Sequence, residues 1–394
     1  MITKTPIPFF LLFLLLGLQT IQAQNGFPCE NGINTQTGEP CYNPLITAVP
    51  FLGIVLDSRS AALGDAGIAL SGTNNAIHAN AARLVFGNKK MGFSASYTPW
   101  QRNLGVSKNY LMYSTGFIQL NQSNSLGLSF RYFNLGNSFS SFAEDKKAKE
   151  YEIAFAYARK LSPHFSIGIT PKYIVSSLLP SFGIEYKSFA VDLSLAYKKP
   201  VKIGKKASEF ITGMAISNIG PKVGYGALSS NRSHLPTNLG IGSSLQIELN
   251  AQHSVSLIGE INKLLVPTPT QFDDDGNGIL DFLEIPFGRS MLNSFNDAPG
   301  GGAEELRELM YSFGVEYLFR KKYALRCGIF EEHQTKGLRS SITLGIGVNL
   351  NDFTIDLSYL RSRKKETINP LDRTIRLTLG YQFNGKNNLV KSSI

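Results

Sequence analysis

One stretch of the chain has side chains of the types and at the spacing that hold a metal ion. Asp273-Asp274-Asp275-Gly276-Asn277-Gly278-Ile279-Leu280-Asp281-Phe282-Leu283-Glu284 fits the calcium-loop pattern D-x-[DN]-x-[DN]-G-x5-E without a gap. The oxygen ligands would be Asp273, Asp275 and Asn277, the Ile279 carbonyl, Asp281 through a water, and a bidentate Glu284. Gly278 stands where such a loop turns sharply. Carboxylates packed this closely repel one another unless a hard cation lies between them. Upstream, Leu264-Leu265-Val266-Pro267-Thr268-Pro269 carries two helix-breaking prolines, so the expectation is an isolated calcium-stapled loop without a leading helix. Its affinity would be on the order of 10⁻⁴ to 10⁻³ M, as in extracellular modules. An acidic tip with no ion is the other reading.

No catalytic constellation is legible. The five histidines are His78, His164, His234, His253 and His333, and none stands in a recognisable nucleophile setting. There is no G-x-S-x-G elbow, no phosphate-binding G-x-x-x-x-G-K-[ST], and no His or Cys at zinc spacing. The expectation is a non-enzyme with no organic cofactor. The three cysteines are Cys29, Cys41 and Cys327. In an oxidising compartment Cys29 and Cys41 are candidates for a bridge, and Cys327 reads as a packing residue on a strand.

The elements that must carry these residues show a period of two. In Phe189–Tyr197 one side is Phe189, Val191, Leu193, Leu195 and Tyr197, and the other is Ala190, Asp192, Ser194 and Ala196. Thr374–Phe383 repeats the pattern, with Ile375, Leu377, Leu379, Tyr381 and Phe383 against Arg376, Thr378, Gly380 and Gln382. Successive strand side chains point to opposite faces, so each such segment has one greasy and one wet side. Fourteen segments read this way: 91–99, 109–121, 125–134, 150–160, 164–176, 186–198, 208–217, 237–249, 252–262, 310–320, 322–331, 338–350, 352–362 and 372–384. Every second connection is short, as at Leu161–Pro163, Asn250–Ala251, Lys321 and Asn351. The basic stretch Lys199–Ala207 reads as the longest turn of that set, either solvated or touching lipid phosphates or a partner. The alternate connections are mostly long, the longest being Lys263–Leu309.

Even strand number, short turns on one side and long loops on the other are the marks of an outer-membrane barrel. The fold class is therefore all-β: a transmembrane outer-membrane β-barrel of about fourteen strands with a small N-terminal plug or hatch segment. With both termini periplasmic, the long loops are extracellular. Past residue 24 no apolar run reaches the roughly 20 residues of a spanning helix. Residues 1–23 read as a signal peptide, with Lys4, the apolar run Phe9–Leu18, and Ala23 at the cut. Residues 24–44 are an N-terminal extension, 45–90 the plug, 91–384 the barrel and 385–394 a tail. The lumen of fourteen strands is too wide for side chains alone to fill. The net charge of +10 concerns anionic lipid head groups of the outer membrane, and no nucleic-acid partner is expected.

Gly64-Asp65-Ala66-Gly67-Ile68-Ala69-Leu70, followed by Ala76-Ile77-His78-Ala79-Asn80-Ala81-Ala82-Arg83-Leu84, resembles the N-terminal hatch of the FadL family of outer-membrane transporters. Ala81 stands where that family usually has Pro, and Arg83 where it usually has Gly, so the family's ligand route does not carry over. The chain more closely resembles the PorV family, the FadL-like barrels of type IX secretion. The resemblance lies in Pro50-Phe51-Leu52, Asp57-Ser58-Arg59-Ser60-Ala61-Ala62-Leu63-Gly64-Asp65-Ala66-Gly67, Ser217-Asn218-Ile219-Gly220-Pro221-Lys222 and the Asp-rich loop. It implies a carrier of secreted cargo, recognised by a shared type of C-terminal domain. Cargo would come from the SprA translocon and pass to the surface complex of the sortase PorU, and the barrel itself would not be the wide pore. Phe139, Phe142 and Tyr225, with Arg361, Arg363, Lys364 and Lys365, are candidates for the protein-binding surface. The alternatives are a FadL-type channel for hydrophobic small molecules, which needs an apolar lumen, and a lipopolysaccharide deacylase, which needs a nucleophile.

Overall fold

The structure, a computed structural model, describes residues 29–30, 32–34, 38–72, 74–106, 108–136, 147–180, 184–224, 232–364 and 369–383. The signal peptide and the tail lie outside the described residues, as do Phe139, Phe142, Tyr225 and Lys365. Two short strands, β1 (Cys29–Glu30) and β2 (Ile33–Asn34), pair near the N-terminus. Cys41 is disulfide-bonded and Cys327 is free; the side chain of Cys29 is outside the described residues.

The alternating segments form fourteen strands. They are β3 (Met91–Pro99), β4 (Tyr110–Gln119), β5 (Asn124–Gly136), β6 (Ala148–Lys160), β7 (Phe165–Leu179), β8 (Ile184–Ile203) and β9 (Lys206–Ile219), then β10 (Asn238–Glu248), β11 (His253–Leu264), β12 (Leu309–Phe319), β13 (Tyr323–Glu331), β14 (Ser340–Leu350), β15 (Phe353–Ser362) and β16 (Thr374–Phe383). Each pairs antiparallel with its sequence neighbours, and β16 returns to β3 through Leu377↔Tyr97 to Phe383↔Met91. Closure leaves no sheet edge to be satisfied in lipid. The pleat sorts the side chains as the sequence requires. Thr374, Arg376 and Thr378 point inward and are buried, whereas Ile375, Leu379 and Tyr381 are exposed on the outer face. Cys327 lies on that exposed outer face and not in a packed interior.

Aromatic side chains form two girdles. Tyr97, Tyr110, Tyr132, Phe130 and Tyr151 make ring contacts near the loop end, and His253, Phe319, Tyr323, Phe353 and Tyr381 do so near the turn end. Phe189 and Tyr197 stand eight residues apart on β8, roughly 26 Å along the strand. That is the span an apolar band needs.

One connection differs from its sequence reading. Lys199–Ala207 is not a long turn: β8 and β9 continue through it, pairing Lys199↔Phe210, Val201↔Ser208 and Ile203↔Lys206 around Gly204-Lys205. Gly204 has φ +60°, a backbone that side-chain-bearing residues rarely adopt. The lysines and Pro200 hide the period of two here, because lysine stands on both faces of the ribbon.

Residues 45–90 fill the lumen. Short 3-10 turns at Pro50–Gly53 and Ala81–Phe86 and a helix at Ser58–Ala62 are joined by irregular backbone. The helix lies against β13–β16, and Ala81–Phe86 against β4–β8. Phe51, Leu52 and Leu56 pack with Leu111, Phe133 and Ile174, and a second cluster joins Ile77 and Leu84 to Phe117. Where backbone meets backbone the wall is glycine. A Cβ on Gly328 would collide with Leu63 and Gly64, and one on Gly314 would lie 2.8 Å from Leu63.

Candidate functional site

Two features define what this barrel can do: a lumen closed by polar contacts, and a loop end built into a rigid cap. The lumen comes first. Asp57 caps the plug helix by accepting from Ser60 N at 2.9 Å, which turns Arg59 toward the wall. Arg59 then forms a forked pair with Glu316 on β12, and Arg326 on β13 joins Glu316 at 2.6 Å and Asp356 at 2.6 Å. Glu260 on β11 accepts the Gly67 and Ile68 N–H groups, each at 2.8 Å. Asn80 caps Ala82 and donates to the Ile68 and Leu195 carbonyls. Arg83 donates to the Leu70 carbonyl, which gives a positional reason for Arg in place of the small residue usual at that step. Nearby, burial pushes the His78 imidazole down to about 4, against the pull of Asp57, whose Oδ2 is 3.4 Å away.

The wall facing the plug mixes Ser, Thr, Gly and ion-paired charge with apolar patches at Leu111, Phe133, Ile174 and Phe117, each covered by the plug, and is not a continuous apolar lining. Two clefts beside Leu70 and Ser71 leave about 10 Å³ each, room for one water.

The loop end is built on residues 265–308, between β11 and β12. This excursion carries helices Asp281–Glu284, Phe287–Asn293 and Gly302–Arg307. A buried ion network clamps its second half. Lys263 reaches Glu305 at 2.9 Å and Glu308 at 2.6 Å, and Lys336 reaches Glu304 at 2.5 Å and Glu308 at 2.9 Å. Burial alone would raise the Glu304 carboxyl, but Lys336, Gly300 N–H and Asn43 bring it below its usual range. Asn43 also donates to the Pro269 carbonyl, and its own N–H goes to Thr335. The N-terminal extension, the 265–308 excursion and the 332–339 loop are thus stitched together.

The first half of the excursion is held from the β9–β10 loop. Lys222 donates to the Leu283 carbonyl at 2.7 Å, and His234 to Ile285 at 3.0 Å. Burial pushes His234 down to about 4, so it stays neutral at neutral pH. The segment Ser217–Lys222 has a clear task here. Asn218 takes φ +61°, accepts from Lys172 at 2.9 Å and donates its N–H to the Asp192 carboxylate at 2.7 Å. Gly220 passes so close to Phe189 that a Cβ would lie 2.6 Å from its carbonyl oxygen. The chain is thereby turned from the wall into the cap.

On this clamped frame large apolar side chains are left in solvent. Phe272, Leu292, Phe295 and Leu306 are 64%, 77%, 51% and 65% exposed. No periodicity in the sequence marks them, because the helices are short and bounded by Pro and Gly. Arg361, Arg363 and Lys364 stand at the same end but are paired, the last two with Glu331.

The predicted metal residues lie on the outer surface of the excursion. Asp273 accepts the Asn277 and Gly278 N–H groups, Asp281 that of Asp274, and Asn277 donates to Asp275 and Glu284. Ile279 N–H returns to Asn277. Gly276 and Gly278 take φ +67° and +83°, the sharp turn the pattern needs. Among the described residues no three acidic, His or Cys side chains converge at metal-binding distance. The donor set is that of a calcium loop, with its oxygens turned onto the loop's own N–H groups. The histidines do other work: His164 meets the Lys198 carbonyl, His253 the Tyr317 hydroxyl and His333 the Thr335 hydroxyl.

Comparison with known proteins now bears on this geometry. A family model described as Type IX secretion system protein PorV matches residues 39–271. The chain belongs to the PorV family. It is an outer-membrane β-barrel component of type IX secretion. The match takes in the plug, the first nine barrel strands and the start of the excursion. No protein of curated function matches the sequence. Among solved structures, the chain is similar to the Pseudomonas putida toluene transporter TodX, with 10% identity, 84% of this chain and 98% of that one covered, and a TM-score of 0.49. It is similar to the Ralstonia pickettii toluene transporter TbuX at 12% identity, 83% and 98% coverage and a TM-score of 0.47. A Pseudomonas aeruginosa FadL homologue gives 11%, 87%, 100% and 0.43. At these values the likeness says nothing of what this chain binds.

Proposed function

We propose that this PorV-family barrel is a non-enzymatic carrier. It binds the C-terminal domain of secreted proteins at its loop end, receives them from the SprA translocon and passes them to the PorU sortase complex. The loops then face the cell exterior and the termini the periplasm. The observation that carries this reading is the pairing of a plugged lumen with exposed apolar anchors on a clamped cap. Apolar side chains on a rigid frame bind with little ordering cost. The FadL-type channel is disfavoured by the polar, filled lumen.

Calcium held by Asp273, Asp275, Asn277, the Ile279 carbonyl, Asp281 and Glu284 belongs to the same reading. The ion would replace the loop's internal hydrogen bonds and stiffen the segment next to Phe272. Its support is the gapless residue pattern and the two left-handed glycines. Terbium luminescence with the full-length barrel, against Glu284→Gln, checks it.

The test of the carrier is affinity purification of the tagged barrel from outer membranes in mild detergent. Large secretion-system subunits and proteins sharing one C-terminal domain should co-elute. Deleting Phe272–Glu284, or the combined change Leu292→Ala, Phe295→Ala and Leu306→Ala, should reduce both without unfolding the barrel. A wild-type barrel that elutes alone with bound fatty acid would overturn the carrier reading.

A further inference from the structure

Among the described residues, positive charge is concentrated at one end of the barrel. The sequence has 39 basic and 29 acidic residues, an excess of ten. The turn end comprises the six short turns, residues 89–90 and the strand residues beyond the aromatic girdle. Among its described residues are twelve basic and three acidic side chains, an excess of nine. Five of the basic ones, Lys198, Lys199, Lys202, Lys205 and Lys206, lie on the β8–β9 hairpin, and Arg320-Lys321-Lys322 form a second group. Lys89, Lys90, Arg159 and Lys160 complete them. Two of the three acids are already used, Glu209 by Lys198 and Asp352 by Lys89, each at 2.9 Å.

The hairpin projects. Pairing between β7 and β8 starts at Phe165↔Tyr197, and pairing between β9 and β10 ends at Ser208↔Ile247. Residues 199–207 therefore extend past both neighbours as a two-stranded ribbon. By the period of two, its outward face continues the lipid-facing row of β8: Tyr197, then Lys199, Val201 and Ile203, with Phe210 and Lys206 opposite. Lys199, Ile203 and Lys206 are exposed. At the second group, the Arg320 guanidinium lies 5.0 Å over Phe319, and the Lys322 ammonium 5.4 Å over Tyr323.

Aromatic girdles mark the depth of the lipid head groups, so these cations stand at and just beyond phosphate level. Basic side chains there are drawn to anionic lipid, with an effect that dies within a Debye length. Phe210, on the same face and opposite Lys199, continues the barrel's lipid surface, which a soluble polyanion would leave unused. We propose that the turn end is a binding surface for anionic glycerophospholipids of the adjacent leaflet. The β8–β9 hairpin is its main arm: Lys199 and Phe210 stand nearest the girdle, at head-group level, and Lys202, Lys205 and Lys206 on the projecting ribbon extend the positive field beyond them. This holds whether or not the loop end carries cargo.

The experiment places the full-length barrel in phosphatidylcholine vesicles with spin-labelled phosphatidylglycerol or spin-labelled phosphatidylcholine. Electron paramagnetic resonance then reads the immobilised fraction of each. Wild type should immobilise phosphatidylglycerol several-fold more, and 0.5 M salt should reduce the preference. The variant K199Q/K202Q/K205Q/K206Q should lose most of it, and R320Q/K321Q/K322Q a smaller part. The loop-end control K187Q/R373Q should keep it. Heat-dependent gel mobility verifies that each barrel is folded. No preference in wild type, a preference that survives both turn-end variants, or an equal loss in the loop-end control overturns the proposal.

Discussion

Arg59 of the plug helix grips Glu316 of the barrel wall with both prongs of its guanidinium, Nε to Oε2 at 2.9 Å and Nη2 to Oε1 at 2.7 Å. Glu316 is shared with Arg326, so the two ends of the pair are not equivalent. Glu316→Ala takes the shared carboxylate from two guanidiniums at once, leaving Arg326 to Asp356 and Arg59 to Ser71, and should cost about 3–5 kcal/mol. Arg59→Ala leaves Glu316 with Arg326 and should cost about 1.5–3 kcal/mol. Urea unfolding of the refolded barrel measures both. Equal costs would mean that Arg326 does not hold the shared carboxylate.

The plug meets the wall at glycines, so a methyl group is a wedge. Gly328→Ala would collide with Leu63 and Gly64 and should cost about 1–3 kcal/mol of overpacking. Because the strand itself tolerates alanine, the strain should fall on the plug. Planar-bilayer recordings should show rare openings in wild type and a sustained conductance in the variant. A silent, normally stable Gly328→Ala barrel would show that the plug shifts without cost.

Acid should loosen the plug through His78. Burial sets its folded value at about 4, below the 6.5 of a free imidazole. Between those values the unfolded segment binds more protons than the folded one, so stability rises with pH across that window. The contribution is present above about pH 6.5 and lost as pH falls toward 4, up to about 3 kcal/mol. Conductance, or protease cleavage within residues 45–90, should increase over that range in wild type. His78→Gln should flatten the response, and an unchanged response in that variant would place the titration elsewhere.

Lys336 should control the cap. It is buried against Glu304 and Glu308, and Lys336→Ala leaves Glu308 to Lys263 alone. The local cost should be about 3–5 kcal/mol. Limited proteolysis should then cut within 265–308 at protease levels that spare wild type, while heat-dependent mobility stays normal.

The barrel was legible because lipid and lumen impose a period of two that survives almost any substitution within each class. Strand positions from Met91 to Phe383 follow from that alone. Lys199–Ala207 escaped because lysine on both faces of the ribbon leaves little contrast to read. The plug was legible as a segment, but its grip was not. Arg59 and Glu316 lie 257 residues apart, and an inward charge on a strand carries no mark of its partner. The cap was hidden for the same reason, since Lys263, Glu308 and Lys336 come from three separate elements. Its exposed anchors, Leu292 and Phe295 among them, sit on helices too short to show a helical period.

The seam between β3 and β16 has a consequence for how the molecule is made. The plug is synthesised before any barrel strand, yet its helix rests on β13–β16, the last strands to emerge. A finished cylinder cannot be threaded by a folded plug, so the sheet must wrap around it and the final strand must zip onto Met91–Tyr97 as the closing act. Biogenesis is then all or nothing. A chain shortened at β16 would present an open sheet with an unhoused plug, a substrate for periplasmic proteases and not a leaky version of the mature protein.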